Sequence, residues 1–310
     1  MKWKAFLGGI ASVALVSTSE PVVLETSSGK VVGTLLLPEG SGPHPAALII
    51  AGSGPTDRDG NSLALPGKND SLKKLAEELA ASGIASLRYD KKGVGESAKV
   101  PEGDLRFDTY IDDAVQWCNR LRGDRRFSFL TIIGHSEGSL IGMTAAKKAN
   151  ADGFVSIAGA GRPAQDVIRE QLKAAPPDLQ NQANEILKSL SDGKTVEMIP
   201  AQLAALFRPS VQPYLISWFR YDPAKQIAAL DKPVLIEQGT TDIQVSVEDA
   251  KLLSQARPSA KLSLIEGMNH VLKQVPADRA LQVKSYSDPA LPVHPELVKE
   301  ITAFVLGLRR

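Results

Sequence analysis

The sequence predicts an α/β fold: a mostly parallel central sheet covered by helices on both faces, interrupted by a helical cap insertion. Three observations predict it. Short apolar runs rich in β-branched residues alternate with stretches whose apolar residues recur at helical spacing, and that alternation buries a parallel sheet between two helical layers. The rhythm stops over residues 162–231, where only helical patterns occur, and resumes at Pro233. One strand-to-helix junction carries Gly134-His135-Ser136-Glu137-Gly138, a Gly-x-Ser-x-Gly pattern that demands a sharp turn.

The elements follow in order. Residues 21–38 read as a hairpin, with Val22, Val23 and Leu24 leading to a turn at Ser27-Ser28-Gly29-Lys30 and residues 31–37 returning. Gly40-Ser41-Gly42-Pro43 is a surface loop, and His44 between two prolines is a surface residue rather than a catalytic one. Residues 46–50 form a buried strand that runs into a glycine-rich loop, residues 51–61. Ser71 opens a helix that buries Leu72, Leu75 and Leu79 and stops at Gly83. A strand at 84–89 precedes the charged loop Asp90-Lys91-Lys92-Gly93-Val94-Gly95-Glu96-Ser97, whose charges anchor the loop. Ile111, Ala114, Val115, Cys118 and Leu121 share one helix face, which makes Cys118 a core residue and not a nucleophile. Strands at 129–133 and 153–158 flank the helix that follows Ser136.

The insertion offers helices at 164–174, 179–190 and 201–207, separated by Pro176-Pro177, Asp192-Gly193 and Pro200. Its apolar, aromatic end contains Tyr214, Leu215, Trp218 and Phe219. These either line a pocket or attach the insertion to the body; Trp218 and Phe219 are the candidates for substrate contact. A strand at 234–238, a helix at 246–256, a last strand at 260–265 and a closing helix at 295–307 complete the chain. The organisation expected is an export signal (1–19), a core in two parts (20–161 and 232–310) and a cap (162–231).

The chain has 310 residues, 43% of them hydrophobic, and a formal net charge of +1, so nothing in its balance points to nucleic acid as a partner. One cysteine excludes an intrachain disulfide and any multi-cysteine metal site. Lys2 and Lys4 precede an apolar run at 5–16, too short to span a bilayer, with Ser17 and Ser19 as small residues at a cleavage spacing. This predicts export to the periplasm or the medium, a mature chain starting near Glu20, and no integral membrane segment after signal removal.

Chemistry enters at three strand ends. The turn at Ser136 lifts its hydroxyl to the carboxyl edge of the sheet. Asp242, in the loop Gly239-Thr240-Thr241-Asp242, and His270, in Gly267-Met268-Asn269-His270, follow late strands on the same edge. A serine hydroxyl needs a base, and the base needs a carboxylate to hold its tautomer. The order Ser, Asp, His supplies all three. The glycine-rich loop after residue 50 offers the Ser53 N–H, and the following helix the Glu137 N–H, as an oxyanion hole. A rival pattern, Gly159-Ala160-Gly161-Arg162-Pro163-Ala164, matches a dinucleotide loop only weakly: it lies mid-chain and Pro163 stiffens it.

The segments 134–138, 239–242 and 267–270 resemble the α/β-hydrolase superfamily. Residues 52–60 and the stretch Arg88-Tyr89-Asp90-Lys91-Lys92-Gly93-Val94-Gly95-Glu96-Ser97 are similar to exported bacterial esterases near the serine-aminopeptidase and lysophospholipase-like branch. The resemblance implies Ser136 as nucleophile, Asp242 as acid, His270 as base and no cofactor. Ala51 stands where many lipases have a histidine, which leaves Ser53 and Gly54 both open as the second oxyanion donor. The expected activity is hydrolysis of a small-molecule carboxylic ester with a short-to-medium acyl group, through an acyl-enzyme. An aminopeptidase or thioesterase with the same triad is the alternative, and a non-catalytic binding protein on this scaffold is the alternative of another class. An aminopeptidase would need free carboxylates in its pocket, and residues 198–221 contain no acid.

Overall fold

The computed structural model describes residues 17–308. The stretch read as an export signal lies outside the described residues as far as residue 16. Eight strands form one sheet: β1 (Thr18–Leu24), β2 (Val31–Leu37), β3 (His44–Ile50), β4 (Ala85–Tyr89), β5 (Phe127–His135), β6 (Gly153–Ile157), β7 (Val234–Gly239) and β8 (Lys261–Ile265). Their spatial order is β1-β2-β4-β3-β5-β6-β7-β8. The β1–β2 hairpin is antiparallel and β2 joins β4 antiparallel, whereas every junction from β4 to β8 is parallel. The parallel part therefore presents all its carboxyl ends on one edge.

The helices are α1 (Ser71–Ala81), α2 (Phe107–Arg122), α3 (Glu137–Lys148), α4 (Ala164–Gln171), α5 (Pro177–Ser191), α6 (Ala204–Phe207), α7 (Gln212–Trp218), α8 (Pro223–Ala228), α9 (Val247–Ala256), α10 (Arg279–Ser285) and α11 (Pro295–Gly307). The period of two in β3 shows how the layers form. Leu48 and Ile50 join a core with α2, α3 and α9, while Ala47, Ile49 and Ala51 join a second core with α1 and α11. Leu72, Leu75 and Leu79 of α1 are fully buried in the second core, each contributing roughly 1.5–3 kcal/mol. Cys118 is buried in the first core, as its helix face requires.

Helices α4–α8 lie between β6 and β7. Ile168, Leu187, Leu190, Leu203, Phe207 and Leu215 form a third apolar cluster there, while Ile227 of α8 packs into the first core instead. Three helices were not foreseen, α7, α8 and α10. They have only six or seven residues each, too few turns for periodicity to register. Among the described residues no helix is long and apolar enough to cross a membrane.

Candidate active site

Ser136 sits between β5 and α3 with φ 55° and ψ −122°, a conformation that costs a non-glycine residue of order 1–3 kcal/mol. The two flanking glycines explain how the turn closes. A Cβ on Gly134 would meet the Gly138 carbonyl oxygen at 2.3 Å, and one on Gly138 would meet the Ile50 oxygen at 2.3 Å. The first turn of α3 thus packs directly on the backbone end of β3. That contact brings the glycine-rich loop to the serine: a Cβ on Gly52 would lie 3.1 Å from the Ser136 Cβ. Ser136 is half-buried and Ser53 is exposed.

Asp242 and His270 meet, His270 Nδ1 donating to Asp242 Oδ2 at 2.8 Å. The other carboxylate oxygen, Oδ1, accepts from the backbone N–H of Gln244 (2.7 Å) and Val245 (3.0 Å). Burial alone would raise this carboxyl, but the charge and hydrogen bond of His270 and the two N–H donors outweigh it and hold the group below the usual carboxylate range. Asp222, another acid of this half of the chain, instead caps α8 through the N–H of Ala224. His44 begins β3, at the edge of the sheet opposite Ser136, and His294 caps α11.

His135, the residue before Ser136, has a role that sequence reasoning missed. Burial, then the neighbouring His270, push its imidazole down to about 3, so it is neutral. Its Nε2 lies 2.8 Å from the His270 backbone oxygen, and a carbonyl can only accept, so Nε2 carries the proton. The two rings are 4.9 Å apart. The nucleophile strand therefore grips the histidine loop directly, which brings the two candidate residues to one spot on the sheet edge.

The charged loop after β4 does anchor its surroundings, as its composition suggests. Asp90 accepts from the N–H of Arg58 and of Glu96, and Arg88 pairs with Asp59 at 3.0 Å. Lys91 goes further. Its Nζ donates to the Gly52 oxygen at 2.6 Å and to Glu137 Oε1 at 2.9 Å. The weak dinucleotide pattern is a packing device: a Cβ on Gly159 would strike the Ser139 hydroxyl at 2.4 Å, and Arg162 holds Asp249 through two bonds of 2.9 Å.

A cavity of about 700 Å³ is lined by Ser136 together with Ser53, Gly54 and Glu137. Apolar side chains from α3, α4, α6 and α7 form much of the rest, among them Leu140, Ile168, Leu206, Leu215 and Trp218. Trp218 stacks on Phe107, with ring centroids 5.8 Å apart. Phe219, expected beside it, does not line the cavity; it is buried in the cluster of the inserted helices. One residue further along the chain turns a side chain by about 100° around the axis, away from the face of Tyr214 and Trp218. Tyr214 and Tyr110 line the cavity instead. The spacing of four between Tyr214 and Trp218 was the signal for that face. Among the described residues two carboxylates line the cavity, and both are occupied: Glu137 by Lys91, and Glu102 by Arg208 Nε at 2.9 Å.

A sheet of this order, a strained serine turn and an Asp–His pair at one edge define an α/β-hydrolase. The model of the family described as serine aminopeptidase, S33, matches residues 65–274, and the chain belongs to that family. Esterase EstD of Thermotoga maritima is 31% identical over 245 residues, covering 77% of this chain and 57% of that protein. The chain thus spans a little over half the length of that curated relative. Est1E from Butyrivibrio proteoclasticus, solved with ferulic acid bound, aligns with a TM-score of 0.63 at 20% identity, over 92% of this chain and 99% of that one. The Pyrococcus furiosus esterase Pf2001 aligns at 0.57 and 16% identity, over 98% of both chains. At such identities these structures establish the shared fold.

Proposed function

We propose that the protein is a serine hydrolase of carboxylic esters with short-to-medium acyl groups, working through an acyl-enzyme. The observation that carries the reading is the Asp242–His270 pair, held by His135 against the turn that presents Ser136 to the cavity. Ser136 Oγ attacks the ester carbonyl as His270 Nε2 takes its proton. Asp242 holds Nδ1–H in place and stabilises the imidazolium. The developing oxyanion is received by the Glu137 N–H, which as the first of its helix has no intrahelical acceptor, and by a donor from the 52–54 loop. His270 gives the proton to the leaving alcohol, then activates water for the second half.

The choice of ester over amide rests on the cavity. An aminopeptidase must bind a substrate ammonium near the scissile bond, and the carboxylates here are already matched by Lys91 and Arg208. The apolar wall favours an acyl chain, each buried methylene adding about 0.8 kcal/mol until space runs out. The family description and the esterase names of the relatives leave the two chemistries to a direct comparison. Purified protein assayed on aryl esters of graded acyl length beside aminoacyl arylamides should favour the esters by well over about ten-fold in kcat/KM. A preference for the arylamides would reverse the reading in favour of an aminopeptidase, and activity on neither, with no labelling by a fluorophosphonate, in favour of a binding protein.

In the same reading residues 162–231 act as a cap and residues 1–19 as an export signal. Intact mass from the native envelope fraction should begin near Glu20; a cytosolic product starting at Met1 would refute export.

A further inference from the structure

We propose that Lys91 is a positioning residue of the oxyanion hole: its ammonium, clamped to the elbow residue Glu137, holds the back of the Gly52–Ser53 peptide so that the Ser53 N–H faces the reacting carbonyl. The inference rests on the hydrolase reading above.

Lys91 follows β4 and is 1% exposed at its side chain, as a lysine almost never is unless it is paired. An ammonium has three N–H donors. Here the three directions have three recipients: the Gly52 backbone oxygen at 2.6 Å, Glu137 Oε1 at 2.9 Å, and the face of Tyr110, whose ring centre is 5.0 Å away. Glu137 is itself 2% exposed at its side chain. The position of this pair argues for more than stability, since isolated buried ion pairs are weak stabilisers. One end holds the residue whose N–H starts α3, and the other holds the loop that faces it.

The peptide geometry makes the contact directional. Gly52 C=O and Ser53 N–H belong to one planar trans unit, so they point in opposite directions. Fixing the oxygen on Lys91 fixes the N–H on the other side. Gly52 abuts the Ser136 Cβ, and both Ser53 and Ser136 line the cavity. Among the described residues the Ser53 N–H has no internal acceptor, whereas the Ser53 oxygen is tied down by the Thr56 hydroxyl at 2.8 Å. A cation on the carbonyl end also polarises the amide and strengthens its N–H as a donor. Charge therefore acts on the oxyanion through one peptide. This selects Ser53 over Gly54 as the second donor.

The test compares the parent with Lys91→Met, which keeps the stem and removes the charge, and with the double variant Lys91→Met/Glu137→Gln, which leaves no unmatched buried carboxylate. Ser136→Ala is the control for the hydrolase reading. Both Lys91 variants should lose up to about a hundred-fold in kcat on an aryl ester, with KM held within about two-fold. The inhibition constant of a trifluoromethyl ketone with the same acyl group should rise by the same factor as kcat falls, because its hemiketal places an oxyanion in the hole. A folded double variant with parent kcat, or one whose KM rises while ketone binding is unchanged, overturns the inference. If both variants fail to fold, Lys91 belongs to the scaffold and the inference is overturned equally. A parent inactive on esters, or a Ser136→Ala variant that retains activity, would bring down the hydrolase reading itself, in a separate arm of the experiment.

Discussion

Replacing Asp242 by asparagine changes one atom, and the surroundings decide which way the amide turns. Oδ1 accepts two backbone N–H groups, from Gln244 and Val245, at 2.7 and 3.0 Å. An amide nitrogen cannot sit there, so the asparagine oxygen takes that place and its NH₂ group faces His270. His270 Nδ1 must then accept instead of donate, and the ring proton moves to Nε2. That tautomer cannot take the Ser136 proton. Gln238 Nε2, 3.3 Å from Oδ2, adds a second donor against the new NH₂. Gln238 cannot turn its amide over without losing its bond to the Val245 oxygen. The loss expected is about ten-thousand-fold in kcat, equivalent to about 5.4 kcal/mol at 1.36 kcal/mol per factor of ten. Steady-state hydrolysis of an aryl ester measures it, with thermal melting as the check that the fold is kept. Activity within ten-fold of the parent, in a folded variant, would show that the tautomer argument fails and that the carboxylate partner lies elsewhere.

Trp218→Ala should shift the acyl-length optimum of ester hydrolysis in the proposed reading, whereas Phe219→Ala should leave that profile unchanged and destabilise the fold by about 3–5 kcal/mol; the reverse pattern in ester panels and melting curves would contradict the placement of the two rings. Glu237 on β7 is 1% exposed, and burial, only partly offset by the Ser263 side chain, pushes its carboxyl up to about 8. Folding therefore binds a proton that the unfolded chain releases near its ordinary value of about 4.3, so this group's contribution is intact below that pH and is lost progressively as pH rises towards 8. Glu237→Gln should raise Tm by several degrees at pH 8 and by far less at pH 5; equal shifts at both would show that the carboxyl is ionised in the fold throughout.

The legible parts of this chain were those written in local pattern. Ser71, Gly83 and the leucines of α1 marked that helix's start, its stop and its buried face, and Ser136, Asp242 and His270 could be placed at one sheet edge from strand order alone. Side chains that act across the sheet were not legible. Lys91 follows a buried strand among charges that do anchor their loop, and no spacing shows that its stem turns inward to Gly52 and Glu137. His135 lies inside the motif, yet its partner is a backbone oxygen 135 residues later. Phe219 failed for a simpler reason. Composition marks an aromatic segment, but only the helix phase of α7 separates the face that lines the cavity from the one that fills the cluster.

The central claim is that Ser136 is the nucleophile of a hydrolase. Reaction with a fluorophosphonate probe, followed by peptide mapping, tests it most directly. The account predicts a single adduct at Ser136 in the parent, none in Ser136→Ala, and a parallel loss of ester hydrolysis of about a million-fold. An adduct on another serine, or hydrolysis that survives in Ser136→Ala, would contradict it.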